Sequence, residues 1–438
     1  MREALPASAD AVVIGAGLVG AATAASLAAT GRRVCVIDRT GPLGGTTAAG
    51  EGNILVSDKL PGPELMLALR SITLWRRFAA GHGGQAEFEP KGGLVVAHDA
   101  TQLTALRDLA GRQRAAGAEV IMMDPAALRQ AEPQISPALA GGAFYPQDCQ
   151  VQPMRAAIAY LAEARRCGAV VAGGAEALSL EGTGTGAAPA LLTSQGRITA
   201  PVIVNAAGPW SGELARRLGS ALPVQPRRGH ILVTEPLPPL IRHKVYEADY
   251  VGAVVSDSAG LECSAVVEGT ASGTVLVGSS REFAGFSCEP GLRALAEMAR
   301  RAISLFPFLD RVRAIRSYTG FRPASPDHLP IIGPDPAIPG LFHVTGHEGA
   351  GIGLAPASAE LVTALIDGGM PPVDPAPFAP GRFAGRGAAR DRDAQPGGGS
   401  PGGFPSPPEQ PPPPTGAAQG RMPPSDRGDL VADGGAGS

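Results

Sequence analysis

The chain has 438 residues, a formal net charge of -3 and an aromatic content of only 4%. Its length calls for two folded lobes rather than one core, and the charge and scarce aromatics give no reason to expect nucleic acid. The five cysteines (Cys35, Cys149, Cys167, Cys263, Cys288) are scattered and never spaced as CxxC. They read as separate reduced thiols in a cytoplasmic protein, with no metal or iron–sulfur site built by this chain.

In chain order, 10–14 is a compact apolar run expected to form a strand, 18–30 an alanine-rich helix stopped by Gly31, and 34–38 a second strand. Strand, helix and strand within about thirty residues make one βαβ unit. The run 11–31 carries no charge, but Glu3 and Asp10 precede it and four glycines interrupt it. It is therefore read as a buried βα unit, not as a signal peptide or membrane anchor, and no other apolar stretch reads as long enough to span a bilayer. Pro63 opens a further helix with Glu64 favourable in its first turn. Helices are expected near 101–116, 154–167, 291–305 and 354–367, and buried strands at 198–204 and 341–345. The stretch 224–285 is rich in short β-branched runs (230–234, 265–268, 274–278) and reads as the sheet of the second lobe. Beyond Phe383 the composition turns to Gly, Pro, Ser and Ala, a tail expected to be disordered. The expected division is a discontinuous cofactor domain (1–90, 144–222, 312–383), a substrate domain (91–143, 223–311) and the tail (384–438).

The chemistry starts at Gly15-Ala16-Gly17-Leu18-Val19-Gly20. Gly15 permits the tight turn off the strand, Gly17 lets the backbone approach a pyrophosphate, and Gly20 lets helix and strand pack closely. Phosphate charge would meet free N–H groups at the helix N-terminus. Asp38, eighteen residues after Gly20, ends the second strand and offers acceptors to ribose hydroxyls. Arg39 and a second glycine and hydroxyl cluster, 44–53 with Thr46 and Thr47, follow directly. Such a loop suits the longer FAD better than NAD. Late in the chain Gly346-His347-Glu348-Gly349-Ala350-Gly351-Ile352 opens the last helix, whose positive end is suited to the pyrimidine side of a flavin. Asn205-Ala-Ala-Gly208-Pro-Trp210 is a third glycine turn after a strand.

These motifs, with Gly320-Phe-Arg322-Pro and the order in which they occur, resemble the D-amino-acid oxidase-like flavoproteins, a family that includes glycine oxidase and sarcosine oxidase. Within it, Glu51-Gly-Asn-Ile-Leu-Val-Ser-Asp-Lys59, Arg228-Gly-His-Ile-Leu-Val-Thr-Glu235 and Glu247-Ala-Asp-Tyr250 are similar to the flavin-carrying β subunits of opine oxidases, D-hydroxyproline dehydrogenases and hydrogen cyanide synthase. The resemblance implies an α/β fold: a Rossmann-type FAD-binding domain with a second, β-rich (α+β) substrate domain. It implies oxidation of the C–N bond of an amino or imino acid, with Arg322 gripping the substrate carboxylate. His347 and Glu348 would sit beside the flavin, as tuners of protonation or as supporting hydrogen bonders. Tyr250 and Glu268 would fall in the substrate lobe, lining the pocket or serving the sheet. Gly320 stands where sarcosine oxidases carry a flavin-linking cysteine, which implies non-covalent FAD. Leu276 falls at their oxygen-activating lysine, and Gly349 at a second substrate arginine of glycine oxidase. The β-subunit likeness implies partners, a second flavoprotein and Fe–S subunits, and a peripheral association with the inner membrane through them. Two other readings stay open: an FAD-dependent hydroxy-acid dehydrogenase, and a non-catalytic flavin-binding subunit.

Overall fold

The computed structural model describes residues 3–182, 188–254, 258 and 260–384. Apart from Ala384, the tail expected to be disordered lies outside the described residues.

The βαβ unit forms where the pattern places it: strand Ala11–Ile14, helix Leu18–Ala29, strand Val34–Asp38. These two strands sit in a six-stranded sheet whose order is Ile331–Pro334, Leu341–Thr345, Val202–Asn205, Ala11–Ile14, Val34–Asp38, Val170–Gly173. All neighbours pair in parallel except Ile331–Pro334. Both faces are covered, as a parallel sheet requires. One face carries helices Leu18–Ala29, Pro153–Arg166 and Gly351–Asp367, with Pro63–Ala86 behind them in the same core. The other face carries a smaller core around Leu191, Ile198, Ile203 and Leu214, part of it from an antiparallel three-stranded sheet.

The second sheet has eight strands in the order Ala314–Ala324, Gln225–Thr234, Val275–Arg281, Glu262–Gly269, Lys244–Glu247, Gly93–Ala97, Gly141–Tyr145, Ile121–Met123. The amphipathic helix Leu292–Leu305 packs on one face through Met298, Ala302 and Leu305. The α/β class and the β-rich second lobe therefore stand as read.

Three readings change. The run 198–204 is two strands, Gly196–Thr199 and Val202–Asn205, because Pro201 cannot donate to a ladder and breaks the run. Strand Ala314–Ala324 pairs along its whole length with Gln225–Thr234, so the cofactor segment expected from 312 begins after this strand. The segment Glu348–Asp367 is long and apolar enough to cross a membrane, contrary to the expectation of no further such run. Here it is a core element, with Leu354, Ala355, Leu361 and Val362 buried against the fingerprint helix and Pro63–Ala86.

That last contact positions the site, because the same helix begins at the expected flavin edge. Trp75, fully buried, donates its indole N–H to the Gly353 carbonyl at 3.0 Å, and Ser71 donates to the same oxygen at 2.5 Å. Trp75→Ala removes both packing and a donor, and is expected to cost about 3–5 kcal/mol of stability, read as a lower urea midpoint. An unchanged midpoint would mean that the helix is held elsewhere.

Candidate flavin and substrate site

Gly15 has φ +112, a conformation that disfavours any side chain, and a Cβ there would overlap the Ala206 carbonyl. A Cβ on Gly20 would overlap the Gly15 carbonyl. Turn, helix and neighbouring strand thus touch backbone to backbone. Gly17 differs, because an added Cβ meets only the Thr47 hydroxyl, at 3.1 Å. Its face is open toward the loop. The N-cap residue Gly17 has no side chain to cap the helix that starts at Leu18, and Leu18 N–H donates instead to Thr47 Oγ1 at 2.9 Å. Thr47 therefore stands at the dipole's positive end, as a phosphate-facing hydroxyl should.

Asp38 has a larger structural part than expected. Its Oδ2 accepts from Ala16 N–H at 2.9 Å, and its Oδ1 from the Thr40 and Gly41 N–H groups at 3.0 Å. The carboxylate staples the fingerprint turn to the next loop, and Oδ2 keeps acceptor capacity for a ribose hydroxyl. Arg39 stacks over Trp210, 4.2 Å from the ring centroid. Thr46 donates to the Phe321 carbonyl at 2.6 Å and binds the loop to the substrate-lobe strand. Gly208 has φ +57, and its carbonyl accepts from Thr345 at 3.1 Å. Gly346 has φ +72 and turns the chain into the last helix, which lacks a side-chain cap at Ala350. A Cβ added to Gly351 would meet His347 Cβ at 3.4 Å, and one added to Gly50 would meet Ile352 Cδ1 at 3.6 Å. These residues fit FAD: two helix N-termini whose N-cap residues supply no side-chain cap, and an open glycine face at the first of them. A side chain at Gly320 would lie 2.6 Å from the Ala49 carbonyl, so a flavin-linking cysteine does not fit there.

Of the expected catalytic set, Tyr250 and Glu348 both act on the Arg322 charge, while His347 bonds to the last helix. His347 is buried, its Nε2 sits 2.9 Å from Ser358 Oγ, and burial pulls it down to about 3. It is therefore a neutral hydrogen bonder and no proton tuner at working pH. Glu348 adopts φ +48, and its carboxylate lies 3.4 Å from Arg227 and 3.0 Å from His328 Nδ1. Tyr250 is buried in the pocket, with Arg281 over its ring at 4.6 Å.

Arg322 is half-buried and donates through Nη1 to the Ser280 carbonyl at 2.8 Å. Gly229 makes the room, since a Cβ there would overlap Nη1, and Gly349 would place one 3.5 Å from Nε. Burial, then repulsion from Arg281, pulls this guanidinium down to about 10. Among the described residues neither Arg322 nor Arg281, itself only 3% exposed, has a carboxylate partner. An unpaired buried charge costs several kcal/mol, so two adjacent ones mark a site for an anion.

Sequence reasoning missed Arg281, and also Glu51 and Lys244 as site groups. Lys244 is 1% exposed and bonds to Glu268, which also accepts from Gly52 N–H at 3.3 Å, so Glu268 is a buried ion-pair member. Lys244 Nζ also lies 3.8 Å from Glu51 Oε2. Leu276 pairs with Glu268 across the sheet, and Lys244, on a different strand, bonds to that same carboxylate. The one signal available was Lys244 within the strand-like Lys-Val-Tyr-Glu run.

The family of FAD dependent oxidoreductases (DAO) matches this chain over residues 10–365. Hydrogen cyanide synthase subunit HcnC of Pseudomonas aeruginosa is 28% identical over 415 residues, covering 85% of this chain and 96% of the relative. Glycine oxidase of Pseudomonas putida is 37% identical over 188 residues, 43% of this chain and 47% of the relative. The crystal structure of glycine oxidase from Geobacillus kaustophilus superposes with a TM-score of 0.78 at 25% identity, covering 87% of this chain and all (100%) of that one. L-proline dehydrogenase from P. horikoshii shares the fold, with a TM-score of 0.79 at 22% identity over 87% of this chain and 99% of that one.

The glycine contacts predict a split. Gly17→Ala is expected to fold like the wild type yet lose FAD affinity, whereas Gly20→Val is expected to yield little folded protein, since its side chain has no space. Flavin content per folded chain and circular dichroism distinguish them. Equal flavin retention by folded Gly17→Ala would remove the pyrophosphate from this turn.

Proposed function

Because the chain belongs to the family of FAD-dependent oxidoreductases and oxidises amino or imino acids, we propose that its substrate is a D-amino acid, an opine or a hydroxyproline-like compound, oxidised at the carbon bearing nitrogen. The observation that carries this reading is Arg322, a cation without a carboxylate partner, beside the acidic corner of Glu51 and Glu268. FAD, when bound, takes up the two electrons and the hydrogen of the substrate. The chain's own residues bind and orient. Arg322 grips the α-carboxylate in its planar fork, which fixes the α-carbon relative to the bound group. Tyr250 and Arg281 close the same side. Gly346 to Ile352 aim the positive end of the last helix at the cofactor, where it favours negative charge. The acidic corner favours an amine over a hydroxyl and so ranks the hydroxy-acid reading second. A panel of amino, imino and hydroxy acids tested for anaerobic bleaching of the flavin decides between them, and a flavin that no amine bleaches favours the non-catalytic subunit.

The electrons have two exits, dioxygen or a partner. Lys244 is neutralised by Glu268 and offers no free charge to a developing superoxide. The likeness to a hydrogen cyanide synthase subunit supports transfer to a second flavoprotein and Fe–S subunits, with cytoplasmic placement or peripheral docking at the inner membrane through them.

Arg322→Ala is expected to keep FAD, judged by absorbance, while losing about 2–5 kcal/mol of substrate affinity; unchanged saturation of flavin bleaching would make Arg322 structural. The isolated chain is expected to turn over faster with dichlorophenolindophenol than with oxygen. Stoichiometric peroxide at the dye rate would make it a self-sufficient oxidase.

A further inference from the structure

An amine gives up hydride from its α-carbon only when its nitrogen carries a free electron pair, yet α-amino and imino acids arrive as ammonium ions. Something must hold that proton. Resting on the amine-oxidation reading, we propose that Glu51 takes the ammonium proton as the substrate binds, with Lys244 and Glu268 as its positioning residues.

Glu51 is a buried carboxyl, 7% exposed, whose Oε1 has no hydrogen-bond partner among the described residues. Its Oε2 accepts from Asn53 Nδ2 at 3.1 Å and lies 3.8 Å from Lys244 Nζ. The loose end is therefore Oε1, and the other end is tethered. The carboxyl occupies a notch in the strand Val275–Arg281, for a Cβ on Gly278 would overlap Oε1 and lie 2.9 Å from Cδ. Two residues further along that strand, the Ser280 carbonyl receives Arg322. Both groups therefore stand against one strand, at Gly278 and Ser280, and the Arg322 charge acts on the Glu51 carboxyl. Carboxylate on Arg322 thus leaves nitrogen toward Glu51.

The charges facing Glu51 set the direction of transfer. They come from Lys244 on one strand, Glu268 on the next and Arg322 on the edge strand; the Tyr318 phenol, pushed up by burial, is neutral. Lys244 is matched by Glu268, so the positive charge left acting on Glu51 is Arg322, a longer-range balance without an ion pair in which Arg281 and Glu348 also act on the guanidinium. When the substrate carboxylate claims Arg322, that balance ends. Burial, against the pull of Lys244 and with Glu268 adding to it, already holds the Glu51 carboxyl above the usual carboxylate range, and loss of the Arg322 pull moves it in the same direction. Ammonium beside carboxylate is an ion pair in a dry pocket, and proton transfer turns it into two neutral groups, which desolvation favours. The N–H bond breaks, an O–H bond forms on Oε1, and nitrogen keeps the electron pair. No other reactant is needed.

The holoprotein tests this with Glu51→Gln and Glu51→Asp. With the best amine substrate, anaerobic flavin bleaching by Glu51→Gln is expected to slow by about 10²–10⁴-fold near pH 7. The rate should return as pH approaches the amine's own pKa, and Glu51→Asp should recover part of it at neutral pH. A structural defect would not be cured by pH. Difference infrared spectra supply a readout without turnover, using 2-aminoisobutyrate, which has no α-hydrogen. Its binding should create a carboxylic-acid C=O band in the wild type that is missing in Glu51→Gln. Wild-type rates in Glu51→Gln, an equal loss at every pH, or no such band on binding would each overturn the proposal. If no amine bleaches the wild-type flavin at any pH, the amine reading itself fails, a result separate from the variant comparison.

Discussion

Charge inside this protein is allowed only where it is answered, and the whole site depends on that constraint. Lys59 lies with Asp58 and Glu64 at 3.0 and 3.3 Å, Lys244 with Glu268, and Arg227 with Glu262 and Glu348 at 3.2 and 3.4 Å. Among the described residues, each buried cation in this region has an anion except Arg281, and the half-buried Arg322 beside it has none either. Desolvation of an unpaired ion costs several kcal/mol, and the interior tolerates it here because helix, sheet and loop packing is strong enough to hold the groups in place. On the proposed function, the missing anion is the substrate carboxylate. A substrate carboxylate relieves a cost already present in the empty site, which turns strain of the fold into affinity.

The frame that bears this cost is built from small residues. Gly15, Gly20 and Ala206 bring turn, helix and strand into backbone contact, while Gly229 and Gly278 give up volume on the substrate sheet to Arg322 and Glu51. In both lobes glycine creates proximity, but with opposite results. In the first it lets backbone N–H groups reach a phosphate; in the second it admits a charged side chain into a sheet where a Cβ would have excluded it.

The two kinds of proximity differ in how far the sequence shows them. The fingerprint, Asp38, the uncapped last helix and Arg322 lie in contiguous motifs whose spacing carries their physics, so fold and cofactor were legible. Lys244 and Arg281 were not, because each is one residue in an ordinary strand and becomes a site group only through cross-strand neighbours far away in sequence. Glu51 was visible as part of a phrase, but its unsatisfied Oε1 depends on Gly278, which no local pattern links to it. His347 was open to two readings, a tuner of protonation or a supporting hydrogen bonder, which sequence alone does not separate. Beside a glycine-rich turn it looks like acid–base equipment, yet packing on Ser358 and complete burial keep it neutral. The break at Pro201 was written in the sequence, and the apolar run on either side of it concealed the break.

One strand joins the two lobes into a single reacting geometry. Ala314–Ala324 is an edge strand of the substrate sheet by hydrogen bonding, yet its far end is fastened to the cofactor loop twice. Thr46 donates to the Phe321 carbonyl, and Gly320 packs so closely on Ala49 that no side chain fits between them. Arg322 is the next residue. The distance from the carboxylate grip to the cofactor loop is therefore set by backbone contacts flanking the arginine rather than by its flexible side chain. Side-chain rotamers relax under a ligand, whereas a backbone staple of this kind does not, and hydride transfer is unforgiving of errors near 1 Å. That requirement also accounts for the strand's place at the sheet edge. An interior strand would have a neighbour on both sides, and only an edge leaves a side free to be fastened to the other lobe.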